Sequence, residues 1–374
     1  MALRSAVNSS SVFACKNGLI SRSSFNVVGK LGLFSDRCVS TKIRCFSIAL
    51  FSTALFSTAA LAQSQQSVNV YSYDSFTSEW GAGPKVKQDF EKAHPQCAIN
   101  FTPFESGGVL LNRVRLEGKK TKADIVLGLD NFVLEQAEKT GIFTPNKVDL
   151  TQLDLPTKWT NKTFLPFDFG NYAFVYDKTK LQNPPKSLKE LVERQDIRVI
   201  YQDPRTSSVG RGLLVWMNAI YPADKIQSAW KELDKHTVTV GKGWSDTYGA
   251  FLKGEADLVL SYSTSPLYHQ LFEKKDNYAA TDFAEGHITQ VELAARVANH
   301  PNQCADDFMA FLISPTAQKH IVTANIMLPV IQGEIEPHFD ALKAQQKTQT
   351  PINPMVNAEQ LKNWISTWQT TLTK

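Results

Sequence analysis

Hydroxyl and aromatic side chains follow an apolar segment in the second half of the chain. The segment at 256–262, Ala-Asp-Leu-Val-Leu-Ser-Tyr, is apolar enough to form a buried strand. The side chains at or near its end are Tyr262, Ser263, Thr264, Ser265 and Tyr268, and Trp244 precedes it in a glycine-containing turn. Aromatic rings stack on flat or cationic molecules. The pattern predicts a binding site for a small heteroaromatic or cationic ligand.

Two further segments place small or hydroxyl residues at the start of a predicted helix. Ser106 and Gly107 precede one helical run, and Ser207 precedes another. Free backbone N–H groups at a helix start can bind an anion, although a hydroxyl there can equally serve as a simple helix cap. Tyr73 ends the first predicted strand and is a candidate for ring stacking. A ligand that suits all these residues has a ring and an anionic tail.

No catalytic motif accompanies these residues. The sequence lacks the G-x-S-x-G elbow of hydrolases, the H-E-x-x-H helix of zinc proteases and the P-loop of nucleotide-binding proteins. Its seven histidines are scattered along the chain. We therefore predict a binding protein, not an enzyme, with no metal and no cofactor.

The predicted elements place the candidate residues at one edge of a sheet. A unit of helix, glycine and Ala-Asp-apolar strand occurs at 108–130 and again at 245–262. Ligands of open α/β sheets bind at the carboxyl ends of the strands. We expect two α/β lobes that share a cleft, with the segment 166–177 crossing between them. Two helices are expected near the end of the chain, at 301–323 and 357–372.

The amino-terminal part of the chain differs from the rest. Residues 45–62 form an apolar run that follows two basic residues and ends in Ala-Leu-Ala, as in a secretory signal peptide cleaved after Ala62. A single transmembrane anchor is the alternative. Residues 1–44 are compatible with a transit peptide or with an over-extended reading frame. We expect 1–62 to be a leader and the protein to be periplasmic.

Charge and cysteine content narrow the choice of function. The 374-residue chain has a formal net charge of +4, but residues 1–62 hold seven basic residues and one acid. The remainder has 33 basic and 35 acidic residues, which gives no indication of nucleic-acid binding. Beyond the leader only Cys97 and Cys304 remain, so we expect at most one disulfide and no cysteine-based metal site.

From about residue 68 to residue 330 the chain resembles the periplasmic thiamine-binding proteins of bacterial ABC importers. The segments that carry the resemblance are YSYDSF, WGAGP, LLNRVRLEGKKTKADIVLGLDN, PFDFGNYAFVYDK, NPPKSLKEL, VIYQDPRTSS, KGWSDTYGAFLKGEADLVLSYSTSP and KKDNYAA. The match is long and nearly continuous, which makes it more specific than a short motif. The chain departs from the family pattern at Ser106, where relatives have Asp, and at Ile326, where they have Trp.

The resemblance implies a class II solute-binding protein. Each of its two lobes is a mixed, mostly parallel sheet flanked by helices, and the lobes close on a ligand in the cleft between them. We expect lobe 1 to comprise 63–167 and 289–325, and lobe 2 to comprise 168–288 and 326–374. The implied ligand is thiamine, thiamine monophosphate or thiamine diphosphate. The implied partners are the permease and ATPase subunits of an ABC importer.

The resemblance also implies which residues bind the ligand. The family's contacts fall on Ser106, Gly107, Ser207, Trp244, Tyr262, Ser263, Thr264 and Ser265, with Tyr73 and Tyr268 as ring-stacking candidates. One alternative is a thiaminase-like enzyme of the same fold, which would need a nucleophilic cysteine in the cleft; Cys97 is expected at the amino end of a strand and Cys304 in a helix. Another is a binding protein for ferric ion or a polyamine. Ferric-binding relatives normally have adjacent tyrosines, which this sequence lacks.

Overall fold

A computed structural model describes residues 65–298, 301–347, 352 and 354–373. The predicted leader lies outside the described residues. Within them, no helix combines the length and the apolar character needed to cross a membrane. The described chain is an α/β structure in which helices flank a continuous mixed sheet, which confirms the predicted fold class.

The sheet contains ten strands in the described part of the chain. They are β1 (Gln66–Tyr73), β2 (Cys97–Phe104), β3 (Ile125–Asp130), β4 (Phe143–Thr144), β5 (Phe164–Asp177), β6 (Val199–Gln202), β7 (Thr237–Gly241), β8 (Leu258–Tyr262), β9 (Tyr278–Ala280) and β10 (Thr289–Val297). Their order is β2-β1-β3-β10-β5-β8-β6-β7, with β4 on β10 and β9 on β5. Strands β1 to β3 are mutually parallel, as are β6 to β8, while β5 and β10 run antiparallel to their neighbours.

Strand β5 connects the two halves of this sheet. Its first part, residues 164–171, pairs with β10, and its second part, residues 172–176, pairs with β8. The crossing strand expected at 166–177 is therefore present and begins two residues earlier. Strand β10 then returns the chain to the half that contains β1, β2 and β3. The two halves are joined through one shared strand, which forms a ladder of backbone hydrogen bonds with each of them.

Thirteen α-helices cover the sheet in the described residues. They are α1 (Asp74–Thr77), α2 (Gly83–Ala93), α3 (Gly107–Glu117), α4 (Leu134–Glu138), α5 (Leu188–Glu193), α6 (Ser208–Ile220), α7 (Ile226–Asp234), α8 (Trp244–Leu252), α9 (Ser265–Tyr268), α10 (Gln303–Phe311), α11 (Pro315–Asn325), α12 (Pro337–Lys347) and α13 (Ala358–Leu372). A π-helical turn, His269–Glu273, follows α9. Side-chain oxygens that accept a backbone N–H cap six helices, at Ser106, Ser187, Ser207, Asn302, Ser314 and Asn357.

The carboxyl-terminal region contains more helices than the sequence indicated. The single helix expected at 301–323 is two helices, α10 and α11. Ser314 accepts from the backbone N–H of Ala317, and Pro315 occupies the first position of α11, so a new helix begins there. Helix α12 was not predicted, whereas α13 matches the helix expected at 357–372.

A disulfide joins Cys97 to Cys304 across 207 residues of sequence. Cys97 is the first residue of β2, and Cys304 lies in the first turn of α10. The one disulfide that the sequence permitted beyond the predicted leader is therefore present. Structural disulfides persist in oxidising compartments such as the periplasm.

Candidate functional site

A cavity of about 410 Å³ lies at the carboxyl ends of β1 and β8. Tyr73 ends β1 and Tyr262 ends β8, and both line it. The starts of α3, α6 and α8 and the end of α11 complete the walls. Both halves of the sheet thus contribute to one cavity, at the edge where open α/β sheets bind ligands. The cavity has the size of a small-molecule site.

Eight of the ten residues predicted to bind the ligand line this cavity. They are Tyr73, Ser106, Gly107, Ser207, Trp244, Tyr262, Ser265 and Tyr268. Ser263 and Thr264 do not line it. Ser263 Oγ accepts a hydrogen bond from Gln346 Nε2 at 2.5 Å, and Thr264 is fully buried. In this conformation Ser263 contacts α12, and neither residue lines the cavity.

Trp244 is held in one orientation on the cavity wall. It is the first residue of α8, with Gly243 as the N-cap, whereas the sequence suggested a turn. Its ring stacks on that of Tyr248, with centroids 4.9 Å apart and planes inclined by 20°. Its Nε1 donates to Ser261 Oγ at 2.7 Å, and Ser261 Oγ lies 2.7 Å from Ser265 Oγ. The indole is therefore a fixed surface against which a ligand ring can stack.

A hydrogen-bonded chain fixes Tyr248 in turn. His269 is fully buried, with Nε2 at 2.9 Å from Tyr248 Oη and Nδ1 at 2.9 Å from Glu273 Oε2. Burial lowers the pKa of His269, so the ring is neutral near neutral pH. The neutral ring donates from Nδ1 to Glu273 and accepts at Nε2 from Tyr248. The π-helical turn places His269 and Glu273 for these contacts.

The starts of α3 and α6 meet beside the cavity. Ser106 Oγ donates to the backbone oxygen of Thr206 at 2.6 Å and accepts from Val109 N at 3.3 Å. Ser207 Oγ accepts from Gly210 N at 3.4 Å. Both hydroxyls cap their helices, and for Ser207 a cap is one of the two roles that the sequence left open.

Gly107 packs closely against β3, and a buried ion pair joins the two halves at this side of the cavity. A Cβ atom at Gly107 would lie 2.3 Å from the backbone oxygen of Gly128 and 3.1 Å from Ser208 Oγ, so only glycine fits. Arg211 of α6 pairs with Asp130 at the end of β3, with Nη2 and Oδ2 2.9 Å apart. Both charged side chains are almost completely buried. The walls of the cavity are thus in direct contact at this side.

Two carboxylates outside the predicted set are neighbours in the sheet, and one of them lines the cavity. Glu292 of β10 and Asp168 of β5 are partners in the strand register. Glu292 lines the cavity, whereas Asp168 is fully buried. Tyr73 Oη donates to Glu292 Oε2 at 2.6 Å. Asn325 Nδ2 donates to Asp168 Oδ2 at 2.6 Å and to Tyr73 Oη at 2.8 Å.

Burial perturbs the titration of this group. Burial raises the pKa of Glu292 to about 7, in spite of the hydrogen bond from Tyr73. Burial and then the neighbouring Glu292 raise the pKa of Asp168 well above its ordinary value. The pKa of Tyr73 is raised by burial and by both carboxylates, so its phenol stays protonated.

The electrostatic character of the cavity is acidic. The carboxylates that line it are Asp74, Glu105, Asp246, Glu273 and Glu292. Among the described residues on its walls, Lys242 alone is a lysine or arginine. A cavity with one dominant sign of charge attracts ligands of the opposite sign. Aromatic walls and excess negative charge together suit a cationic ring.

Other cavity residues outside the predicted set include Trp80, Asn325 and Ile326. Ile326 ends α11 with φ of 56° and ψ of 45°, which is rare for a β-branched side chain. It is also one of the two positions, with Ser106, at which we expected the chain to depart from the family pattern. Ile326 thus contributes to the cavity wall from the end of α11, where its backbone conformation is unusual. Within the described chain, no group of three or more His, Cys, Asp or Glu residues could hold a metal ion.

Comparison with known proteins identifies the family. Residues 81–319 match the bacterial extracellular solute-binding proteins. The thiamine-binding periplasmic protein of Haemophilus influenzae is 96% identical over 315 residues, which cover 84% of this chain and 95% of that protein. The chain belongs to the family of thiamine-binding periplasmic proteins. Its predicted periplasmic location is confirmed with it.

Other members of this thiamine-binding family agree with the assignment. The Escherichia coli protein of the same name is 53% identical over 81% of this chain and 92% of its own length. A solved periplasmic thiamin-binding protein has a TM-score of 0.76 and 49% identity, covering 83% of this chain and 97% of that chain. Iron-bound HitA from Pseudomonas aeruginosa, with a TM-score of 0.64 and 15% identity, shares the fold alone.

Replacing Gly107 with alanine tests the contact between α3 and β3. The added methyl would overlap the Gly128 carbonyl, so we expect Gly107→Ala to lower the free energy of unfolding by about 1–3 kcal/mol. Urea denaturation measures this loss. Gly249→Ala is the control, because that glycine lies inside α8 and a Cβ atom there would have no other atom within 4 Å, so alanine should be neutral or stabilising. Equal stability of the two variants would contradict the close approach.

Proposed function

We propose that the protein captures thiamine and its phosphates in the periplasm and delivers them to an ABC importer. The observation that carries the proposal is an acidic cavity with aromatic walls in a chain that is 96% identical to a protein named for thiamine binding. Thiamine combines a permanently cationic thiazolium ring with a flat aminopyrimidine. Trp244, Tyr262 and Tyr268 offer surfaces for the rings, and the carboxylates offset the positive charge.

The helix starts provide for the anionic end of the phosphorylated forms. Ser207 Oγ accepts from Gly210 N, which leaves its own hydroxyl proton for an anion in the cavity. The starts of α3 and α6 also carry the positive end of the helix dipole. We infer that thiamine monophosphate and diphosphate bind in the same cavity, with the phosphate near Ser106 and Ser207.

The enzyme alternative has no support in the geometry. A thiaminase-like reaction requires a free cysteine nucleophile at the ligand, and the two cysteines of the described chain form a disulfide. Neither Cys97 nor Cys304 lines the cavity. We infer that the protein binds its ligand without transforming it.

The proposal is tested by calorimetric titration of the purified protein. Thiamine, thiamine monophosphate and thiamine diphosphate should each bind with one ligand per chain. Spermidine and ferric citrate serve as the competing ligand classes and should bind at least about tenfold more weakly, a difference of about 1.4 kcal/mol. If either competitor bound more tightly than thiamine, we would conclude that this competitor is the ligand. Turnover of thiamine during the titration, followed by chromatography of the recovered ligand, would restore the enzyme alternative.

Truncation of Trp244 tests the stacking surface. Removing the indole should weaken thiamine binding by about 1–3 kcal/mol, the range observed when an aromatic that stacks on a nucleobase is lost. Trp364→Ala is the matched control, because Trp364 is also half-buried but lies in α13, outside the cavity. Calorimetry on both variants, with folding checked by circular dichroism, gives the comparison. Equal losses of thiamine affinity in the two variants would show that Trp244 is not part of the binding surface.

Substitution of Ser207 distinguishes the phosphate-binding site from the ring-binding site. Ser207→Ala should weaken binding of thiamine phosphates by about 1.5–3 kcal/mol, since a hydrogen bond to a charged group is lost, and should affect free thiamine less. Tyr73→Phe retains the ring at the cavity and should affect all three ligands by similar factors. If Ser207→Ala weakened all three forms equally, the hydroxyl would act only as the cap of α6.

A further inference from the structure

The carboxylates of Asp168 and Glu292 have no cationic partner among the described residues. Glu292 accepts hydrogen bonds from Tyr73 Oη at 2.6 Å and Gln290 Nε2 at 2.9 Å. Asp168 accepts from Asn325 at Oδ2, while its Oδ1 is buried without a hydrogen-bond partner. A buried carboxylate that is ionised and unpaired is costly. The pair is therefore uncompensated, and Glu292 places one of its two carboxylates on the cavity wall.

The groups around the pair supply no positive charge. The polar residues that face it are Tyr73 from β1, Asp130 from β3, Tyr172 from β5, Tyr262 from β8, Gln290 from β10 and Asn325 from α11. Arg211 of α6 is engaged with Asp130 at 2.9 Å. A cation that enters the cavity is thus the natural counter-charge for the pair.

The two carboxylates can share a proton before a ligand binds. Both oxygens of Glu292 accept hydrogen bonds, and Oδ1 of Asp168 has no hydrogen-bond partner, so the proton belongs to the pair and is not assigned to one carboxyl group. Because the two carboxylates are register partners on adjacent strands, they share the cost of ionisation. The upward shifts in the pKa of both groups have this cause, together with burial.

We propose that Asp168 and Glu292 form the counter-ion for the cationic ring of the ligand, and that binding expels a proton from the pair to the solvent. The proposal rests on the proposed function, because the cationic ring is the thiazolium of thiamine. It makes the pair a determinant of specificity: a neutral ligand of the same shape leaves the proton in place and gains no charge interaction.

The proposal fixes the direction of the pH dependence. A proton competes with the cation, so thiamine affinity should rise with pH through the range in which the pair ionises, near pH 7 for Glu292. The free energy of unfolding of the ligand-free protein should instead fall as the pH rises through this range. A carboxylate whose pKa is raised on folding favours the folded state at low pH, and this contribution is lost as pH rises through about 7.

Calorimetry in two buffers measures the proton directly. Thiamine is titrated into the unmodified protein near pH 7 in phosphate and in Tris, whose ionisation enthalpies differ. The difference between the observed heats, divided by the difference between the two ionisation enthalpies, gives the number of protons released. We expect about half a proton or more per thiamine, since burial raises the pKa of Glu292 to about 7. Identical heats in the two buffers would overturn the proposal without any variant being needed.

Two variants assign the proton to the pair. Glu292→Gln preserves an oxygen that can accept from Tyr73 and should reduce both the proton release and the affinity for thiamine, the latter roughly 10- to 100-fold. Asp74→Asn is the matched control, because burial also raises the pKa of Asp74 and its side chain lines the same cavity. It should retain the proton release. Loss of the release in Asp74→Asn, with retention in Glu292→Gln, would overturn the proposal.

A neutral isostere separates this proposal from the proposed function. Deazathiamine, in which an uncharged thiophene replaces the thiazolium, should bind the unmodified protein more weakly than thiamine and without proton release. Glu292→Gln should reduce that preference. If thiamine binds with no proton release, the role of the pair is wrong and the proposed function stands. If thiamine does not bind in either buffer, the proposed function itself fails.

Discussion

The antiparallel pairing of β5 with β10 on one side and β8 on the other is the constraint on which the site depends. Because β5 belongs to both halves of the sheet, it fixes the distance between the ends of β1 and β8. The same strand supplies Asp168 to the acidic pair and Tyr172 to the space between the halves. Tyr172 Oη hydrogen-bonds to Gln290 and to the backbone oxygen of Ser208, and its ring stacks on Tyr262 at 5.3 Å. Scaffold and site are therefore parts of one hydrogen-bonded unit.

Contacts between the starts of α3 and α6 complement this shared strand. The Ser106 hydroxyl, the glycine at 107 and the buried Arg211–Asp130 pair bring two helix starts together at one side of the cavity. Removing only one partner of a buried ion pair strongly destabilises a protein, because the other charge stays buried without compensation. The pair therefore favours the arrangement in which the walls touch, while the cavity remains on the other side of the contact.

The chemistry of the cavity combines rigid rings with negative charge. Trp244 and Tyr248 are stacked, and the buried His269 and Glu273 hold Tyr248 in place. Preorganised rings lose little conformational entropy when a ligand stacks on them. Carboxylates in a partly desolvated cavity interact with a cation more strongly than they would in water. These two properties favour a flat, positively charged molecule over a neutral one of equal size.

The amino-acid sequence by itself determined the fold class and the family, and it pointed to eight of the residues that line the cavity. Local signals suffice for these: the strand that ends in Tyr262, the caps at Ser106 and Ser207, and a family resemblance spread over many segments. Only the tertiary structure decided which neighbours in the turn face the cavity, turning Ser265 inward and burying Thr264. It also brought Glu292, Asp168 and Asn325 to Tyr73, although these residues are far apart in sequence. Alternation along β10 indicates that Gln290 and Glu292 share a face, but the partner strand and its register depend on long-range pairing, which no local pattern encodes.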